Sequence, residues 1–141
     1  MHLTNIEVAT DEQDQKECTD YVARVTEGTV AVRVRRPDCE YRDWTIRSWR
    51  ASGAKTELSK LKEGFASKYL YCWTNSTDII KEYVLIDLDV VRKKKLLEQK
   101  WPFIKNKDKV TGFISIPLNV LKKTGTIVAF WGKKIKRKMK Q

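Results

Sequence analysis

Apolar and polar residues alternate along Tyr21–Glu27 and again along Thr29–Arg35, with a break at Glu27-Gly28. A period of two reads as half-buried strand, and so short a break reads as a hairpin. Pro37-Asp38 interrupts the pattern, Asp43–Trp49 makes a third strand, and Ser52-Gly53 ends it. Over Ala54–Ala66 the period changes: Leu58, Leu61 and Phe65 fall at helical spacing, with Lys55, Lys60 and Lys62 among the polar positions. Lys68–Thr74 is an aromatic strand followed by the turn Asn75-Ser76-Thr77-Asp78. Tyr83–Leu88 is nearly continuous and apolar, as a buried central strand would be. A second helix is expected over Leu88–Lys100, stopping before Trp101-Pro102, with Asp87 and Asp89 as capping residues. Phe113–Ile116, Pro117–Lys123 and Thr126–Trp131 read as strand, short helix and strand, with Pro117 opening that helix and Gly125 closing it.

These elements predict an α/β domain: a mixed β-sheet flanked by two main helices, with a small C-terminal strand-helix-strand extension. Residues 1–17 read as an acidic lead-in, 18–132 as the domain and 133–141 as a basic tail. The 141 residues are enough for a core without staples, and 41% hydrophobic content with five Trp excludes wholesale disorder. No apolar run is long enough to cross a membrane as a helix. Met1–Asp14 lacks a basic stretch followed by an apolar one, so no signal peptide is expected. Cys18, Cys39 and Cys72 have no C-x-x-C spacing, which points to a reduced, intracellular chain.

Charge changes the picture more than composition does. The net charge is +11, but residues 1–50 carry −2, residues 51–100 carry +3 and residues 101–141 carry +10. Seven of the nine Arg fall in residues 1–50, against one of the twenty Lys. Arginine makes fixed, bidentate contacts to phosphate or carboxylate, whereas lysine is a flexible point charge. Two basic surfaces are therefore expected. One is central and built on Arg33, Arg35, Arg36, Arg47 and Arg50. The other is the tail, with Lys133, Lys134, Lys136, Arg137 and Lys138. DNA or RNA is the leading partner for both.

Strand alternation assigns faces. If the first three strands are neighbours, one face collects Asp20, Arg24, Arg33, Arg35, Asp43, Thr45 and Arg47, and so much charge must meet solvent or a ligand. Glu57 and Lys60 share a helix face, as a surface ion pair or with Glu57 leaning over the sheet toward Asp20 or Asp43. Tyr69, Tyr71 and Trp73 fall on one strand face and read as core, although an exposed row of this kind would stack bases. His2 is the sole histidine, which excludes a His-based triad or a zinc site with several His. There is no Gly-rich phosphate loop.

Asp20 in Thr19-Asp20-Tyr21-Val22 opens a strand, and a hairpin leads to Val30-Ala31-Val32-Arg33-Val34-Arg35-Arg36. A helix and another strand follow. This layout, over roughly residues 19–92, resembles the PD-(D/E)XK nuclease superfamily. Asp43-Trp44-Thr45-Ile46-Arg47-Ser48 and Ser52–Lys60 resemble segments of small phage-type members, which implies a phage-encoded chain with a degenerate motif. In that superfamily an Asp binds metal, and a Glu-x-Lys supplies a second ligand and a water-orienting Lys. Here the corresponding place holds Arg33-x-Arg35, or Thr45-x-Arg47 if Pro37-Asp38 is taken as the first motif. Arginine stays protonated, so it binds phosphate but cannot act as a base. The resemblance implies a PD-(D/E)XK-like core and a Mg²⁺- or Mn²⁺-dependent phosphodiesterase. Asp20, Asp43 and Glu57 would then hold the metal, while Arg33, Arg35, Arg47 and Lys60 position phosphate. The alternative is a non-catalytic basic module, without cofactor, that grips an acidic protein partner.

Overall fold

β-Branched and aromatic residues dominate the apolar runs, and most of the chain is accordingly strand. The computed structural model describes residues 3–8, 21–25, 28–36, 41–77 and 79–132, the first two segments by their backbone. The elements are β1 (Leu3–Val8), β2 (Tyr21–Val25), β3 (Gly28–Arg35), β4 (Asp43–Arg50), α1 (Glu57–Lys62), β5 (Lys68–Thr74) and β6 (Ile80–Asp87). They continue with α2 (Leu88–Lys93), a 3₁₀ turn (Leu96–Glu98), β7 (Phe103–Lys105), β8 (Thr111–Pro117), α3 (Leu118–Lys123) and β9 (Ile127–Trp131). Among the described residues the fold is mixed α/β, with two sheets and three short helices.

The larger sheet has the order β1-β2-β3-β5-β6-β9, and the smaller has β4-β8-β7. All neighbours are antiparallel except β3 and β5. A parallel pair needs a long crossover, and here the crossover carries β4 and α1. The hairpin at Glu27-Gly28 forms as expected, joining β2 to β3. Gly28 has φ +147° and sits so close to Ser67 that an added Cβ would lie 2.6 Å from its hydroxyl. Any side chain there would push the start of β3 away from the segment that leads into β5.

Three expectations need correction. β4 is not a neighbour of β2 and β3: it pairs with β8 in the second sheet, Asp43 opposite Pro117 through Arg50 opposite Thr111. The strand-helix-strand piece is not an extension, because β8 lies at the centre of the small sheet while β9 is an edge of the large one. The two long helices are each a short one. Thr56 caps α1, accepting from the Ser59 amide, and the chain leaves that helix through Gly64 (φ +105°) and Ala66 (φ +59°). α2 starts where expected, with the Asp87 carboxylate accepting from the Asp89 and Val90 amides, but left-handed Lys95 (φ +54°) breaks it before the 3₁₀ turn. In addition, residues 3–8 of the expected lead-in form β1, and β7 is a strand the alternation does not reveal.

The main core lies between the sheets. Ala31, Tyr69, Tyr71, Trp73, Val84 and Ile86 of the large sheet meet Trp44, Ile46 and Ile116 of the small one, with leucines of α1, α2 and α3 closing the ends. The aromatic row of β5 is therefore core. Trp44 meets Tyr69 edge-on at 5.4 Å, and Tyr71 meets Trp73 at 5.1 Å. A smaller cluster of Val30, Val32 and Leu85 occupies the opposite face of the large sheet.

Arg92 of α2 fastens the end of α1. Its Nε donates to the Leu61 carbonyl at 2.7 Å, and its Nη2 donates to the carbonyls of Phe65 at 2.6 Å and Ala66 at 2.7 Å. These charge-assisted bonds satisfy carbonyls that a left-handed residue has turned out of the helix. Arg92→Ala is expected to cost about 2–4 kcal/mol in urea unfolding, because the partners lose a charged donor and remain largely desolvated. Arg92→Lys should recover only part of that loss, since an ammonium cannot span three carbonyls in one plane.

Candidate functional site

The two sheets separate beyond the core, and the separation exposes a cleft. Ala31, Arg33 and Arg35 share one side of β3 by alternation. Ala31 belongs to the core, and the two arginines beyond it line the opening. The cleft holds about 530 Å³ and is walled by Arg33, Val34, Arg35 and Arg36, by Tyr41, by Thr45 and Arg47 of β4, and by Asn106 and Phe113. Arg47 and Phe113 are cross-strand partners between β4 and β8. Asn106 is fixed by donating to the Thr111 hydroxyl at 2.8 Å. Four arginines thus line the cleft, with no carboxylate among the described lining residues.

Beneath the cleft lies Glu57, the first residue of α1 and only 2% exposed. Its Oε2 is 3.1 Å from the Arg33 guanidinium and accepts from the Tyr69 hydroxyl at 2.8 Å. Its Oε1 accepts from the Arg47 backbone amide at 3.1 Å. Burial pushes the Glu57 carboxyl above its ordinary value, although Arg33, the Tyr69 hydroxyl and the Arg47 amide pull the other way. Above it, Arg35 donates from Nη1 to the Thr45 hydroxyl at 2.7 Å and the Tyr71 hydroxyl at 3.0 Å, and those hydroxyls are 2.7 Å apart. Burial raises both phenols, that of Tyr69 far above its ordinary range. They remain neutral hydrogen-bonding groups near pH 7.

Arg33 and Arg35 are therefore anchored from below, whereas Arg36 and Arg47 differ. Arg36 is exposed at the mouth and Arg47 is half-buried in the wall, and neither guanidinium has an ion-pair partner among the described residues. Arg47 does lie within electrostatic range of two carboxylates, those of Glu57 and Asp108. Tyr41, 66% exposed as a whole residue, also lines the cleft. Its carbonyl accepts from the Trp73 indole at 3.1 Å and from Arg42 Nη1 at 3.3 Å, while Arg42 also donates from Nε and Nη2 to the Glu82 carboxylate.

The structure brings together only some of the residues singled out by sequence. Arg33, Arg35, Arg36 and Arg47 meet in the cleft, with Thr45. Arg50 lines a separate shallow hollow with Trp49, Lys55, Thr56 and Ser59. Lys60 lines neither hollow and makes no surface pair with Glu57; its ammonium is buried without a hydrogen-bond partner among the described residues. Asp43 accepts a hydrogen bond from the Ser115 hydroxyl. Asp20 and the tail residues Lys133, Lys134, Lys136, Arg137 and Lys138 lie outside the described residues. Tyr41, Asn106 and Phe113 escape the sequence reading. Tyr41 sits in a break between strands, and the other two come from a sheet that alternation alone does not pair with β4.

The described carboxylates do not fit a metal site. Both oxygens of Glu57 are filled by a cation, a phenol and an amide, and a metal would have to displace Arg33 and sit beside its charge. Among the described residues no group of three or more His, Cys, Asp or Glu is placed to hold a metal. Compared with protein-family models, with curated proteins and with solved structures, the chain matches none.

Glu57→Ala is expected to destabilise the protein by about 3 kcal/mol, the low end for a broken buried pair, because Arg33 keeps some access to water. The pH dependence has a definite sign. A carboxyl raised in the folded state binds its proton more tightly there than in the unfolded chain. Stability relative to Glu57→Gln should therefore fall as pH rises from the ordinary value of 4.5 through the raised one, then level off. Urea midpoints of both proteins between about pH 4 and 8 check this.

Proposed function

We propose that the protein binds nucleic acid through the arginine cleft, and that the cleft serves binding rather than metal-dependent hydrolysis. One observation carries the reading: among the described residues, four arginines and no carboxylate line one concavity. Guanidinium forks match phosphate oxygens in geometry as well as charge. The net charge of +11 would add long-range attraction for a polyanion. The hydrolytic reading implied by the resemblance to PD-(D/E)XK nucleases gains no support from Asp43 and Glu57, whose described partners are a hydroxyl and a set of donors centred on Arg33.

Fluorescence anisotropy with labelled oligonucleotides at several salt concentrations tests the proposal. Affinity should fall steeply with salt, and Arg47→Ala should reduce the slope of log K against log salt by about one while weakening binding to every sequence alike. Lys93→Ala, an exposed lysine outside the cleft, should do much less. No binding to DNA or RNA at low salt would overturn the reading. Retention of a single acidic protein instead would favour a non-catalytic module for an acidic partner.

A further inference from the structure

Resting on the nucleic-acid reading, we infer that the turn between β7 and β8 is a second, preformed phosphate contact at the rim of the cleft, in which Lys107 and Lys109 meet the backbone and Asp108 positions them. The turn starts at Asn106, which lines the cleft, and ends at Thr111, where β8 begins. Asp108, between the two lysines, lies within electrostatic range of Arg47 in the cleft wall. A run of phosphates held by Arg36 and Arg47 therefore passes close to this turn. Lys107 and Lys109 are both exposed, whereas the Lys105 ammonium already lies over the Trp49 ring at 5.1 Å. Lysine is a point charge, so such contacts add affinity for any sequence and leave base readout to other groups.

Two features support this role. The first is how fully the turn is bonded. The Asn106 amide donates to the Thr111 carbonyl at 2.9 Å and the Lys109 amide to the Asn106 carbonyl at 3.0 Å. The Ala51 amide, just past β4, donates to the Val110 carbonyl at 2.8 Å. One Asp108 oxygen accepts from the Val110 amide at 2.9 Å and the Thr111 amide at 3.0 Å, and the other accepts from the Thr111 hydroxyl at 2.7 Å. The Thr111 hydroxyl and the Val110 amide hold this carboxyl below its ordinary value, so the negative charge of the turn is committed to its own backbone. A backbone fixed in advance has little ordering left to lose on binding. The second feature is Lys109, whose φ is +62°. Glycine adopts this left-handed conformation freely, whereas the Cβ of a lysine opposes it. A cation is thus kept where the backbone favours glycine, and retained strain of this kind points to a use for the side chain.

The test measures anisotropy of a labelled oligonucleotide over a range of salt, together with urea midpoints. Lys107→Ala and Lys109→Ala should each lower the slope of log K against log salt by about one. Lys109→Gly should do the same without lowering the urea midpoint, because it removes the strain along with the charge. Lys95→Gly, at another left-handed lysine that lines neither the cleft nor the Arg50 hollow, should leave binding nearly unchanged. Asp108 separates positioning from charge. Loss of a negative charge by itself would tighten binding to a polyanion, yet Asp108→Ala should weaken it severalfold. Asp108→Asn keeps an oxygen for the two amides and should bind at least as tightly as the parent. Unchanged slopes in both lysine variants, or tighter binding by Asp108→Ala, overturn the inference. If Arg47→Ala still lowers the slope in that case, the cleft reading stands alone. If the oligonucleotide does not bind even at low salt, both fall.

Discussion

One buried carboxylate ties the two sheets together. Glu57 stands at the start of α1, and its three donors come from β3 (Arg33), β5 (Tyr69) and β4 (the Arg47 amide). β3 and β5 belong to the large sheet and β4 to the small one, so this single side chain links the two sheets. Burying the charge is costly: three donors favour the carboxylate, but desolvation outweighs them and holds the carboxyl above its ordinary value. The same contacts leave Arg33 leaning out of the core toward the cleft. Structure and candidate function thus share a residue whose role is positional.

The cleft follows from a change of side-chain type along strands that keep a constant period. On one side of β3 the sequence runs Ala31, Arg33, Arg35, from sealed core to cationic wall. β5 supplies hydroxyls beneath it, since Tyr71 bonds Arg35 while its ring stays in the core. Arg35 donates to two hydroxyls, those of Thr45 and Tyr71, which orient its guanidinium.

The strands were largely legible because their burial depends on local alternation. Lys68–Thr74 has the same bounds in both readings, and the carboxylate of Asp87 caps α2 as its position predicts. Helix length was not legible. Leu58, Leu61 and Phe65 keep a helical period past Lys62, but left-handed Ala66, held by Arg92, turns the chain back toward β5. Sheet membership was not legible either. Alternation tells which side chains share a face and says nothing about which strand lies alongside, so the pairing of Asp43 with Pro117 had no local signal. The site divides on the same line: the arginines of β3 and β4 were visible as charges, while Asn106 and Phe113 depended on the unforeseen second sheet and Tyr41 sits in a break between strands.

Side-chain NMR of the arginines tests the central claim most directly. The Nε–Hε resonances, assigned by substitution, should be followed while an oligonucleotide is added at low salt. Signals of Arg33, Arg35, Arg36 and Arg47 should move together and saturate at one affinity, while that of Arg92, committed to three backbone carbonyls, stays in place. Saturable binding that leaves all four cleft arginines unmoved would contradict the account.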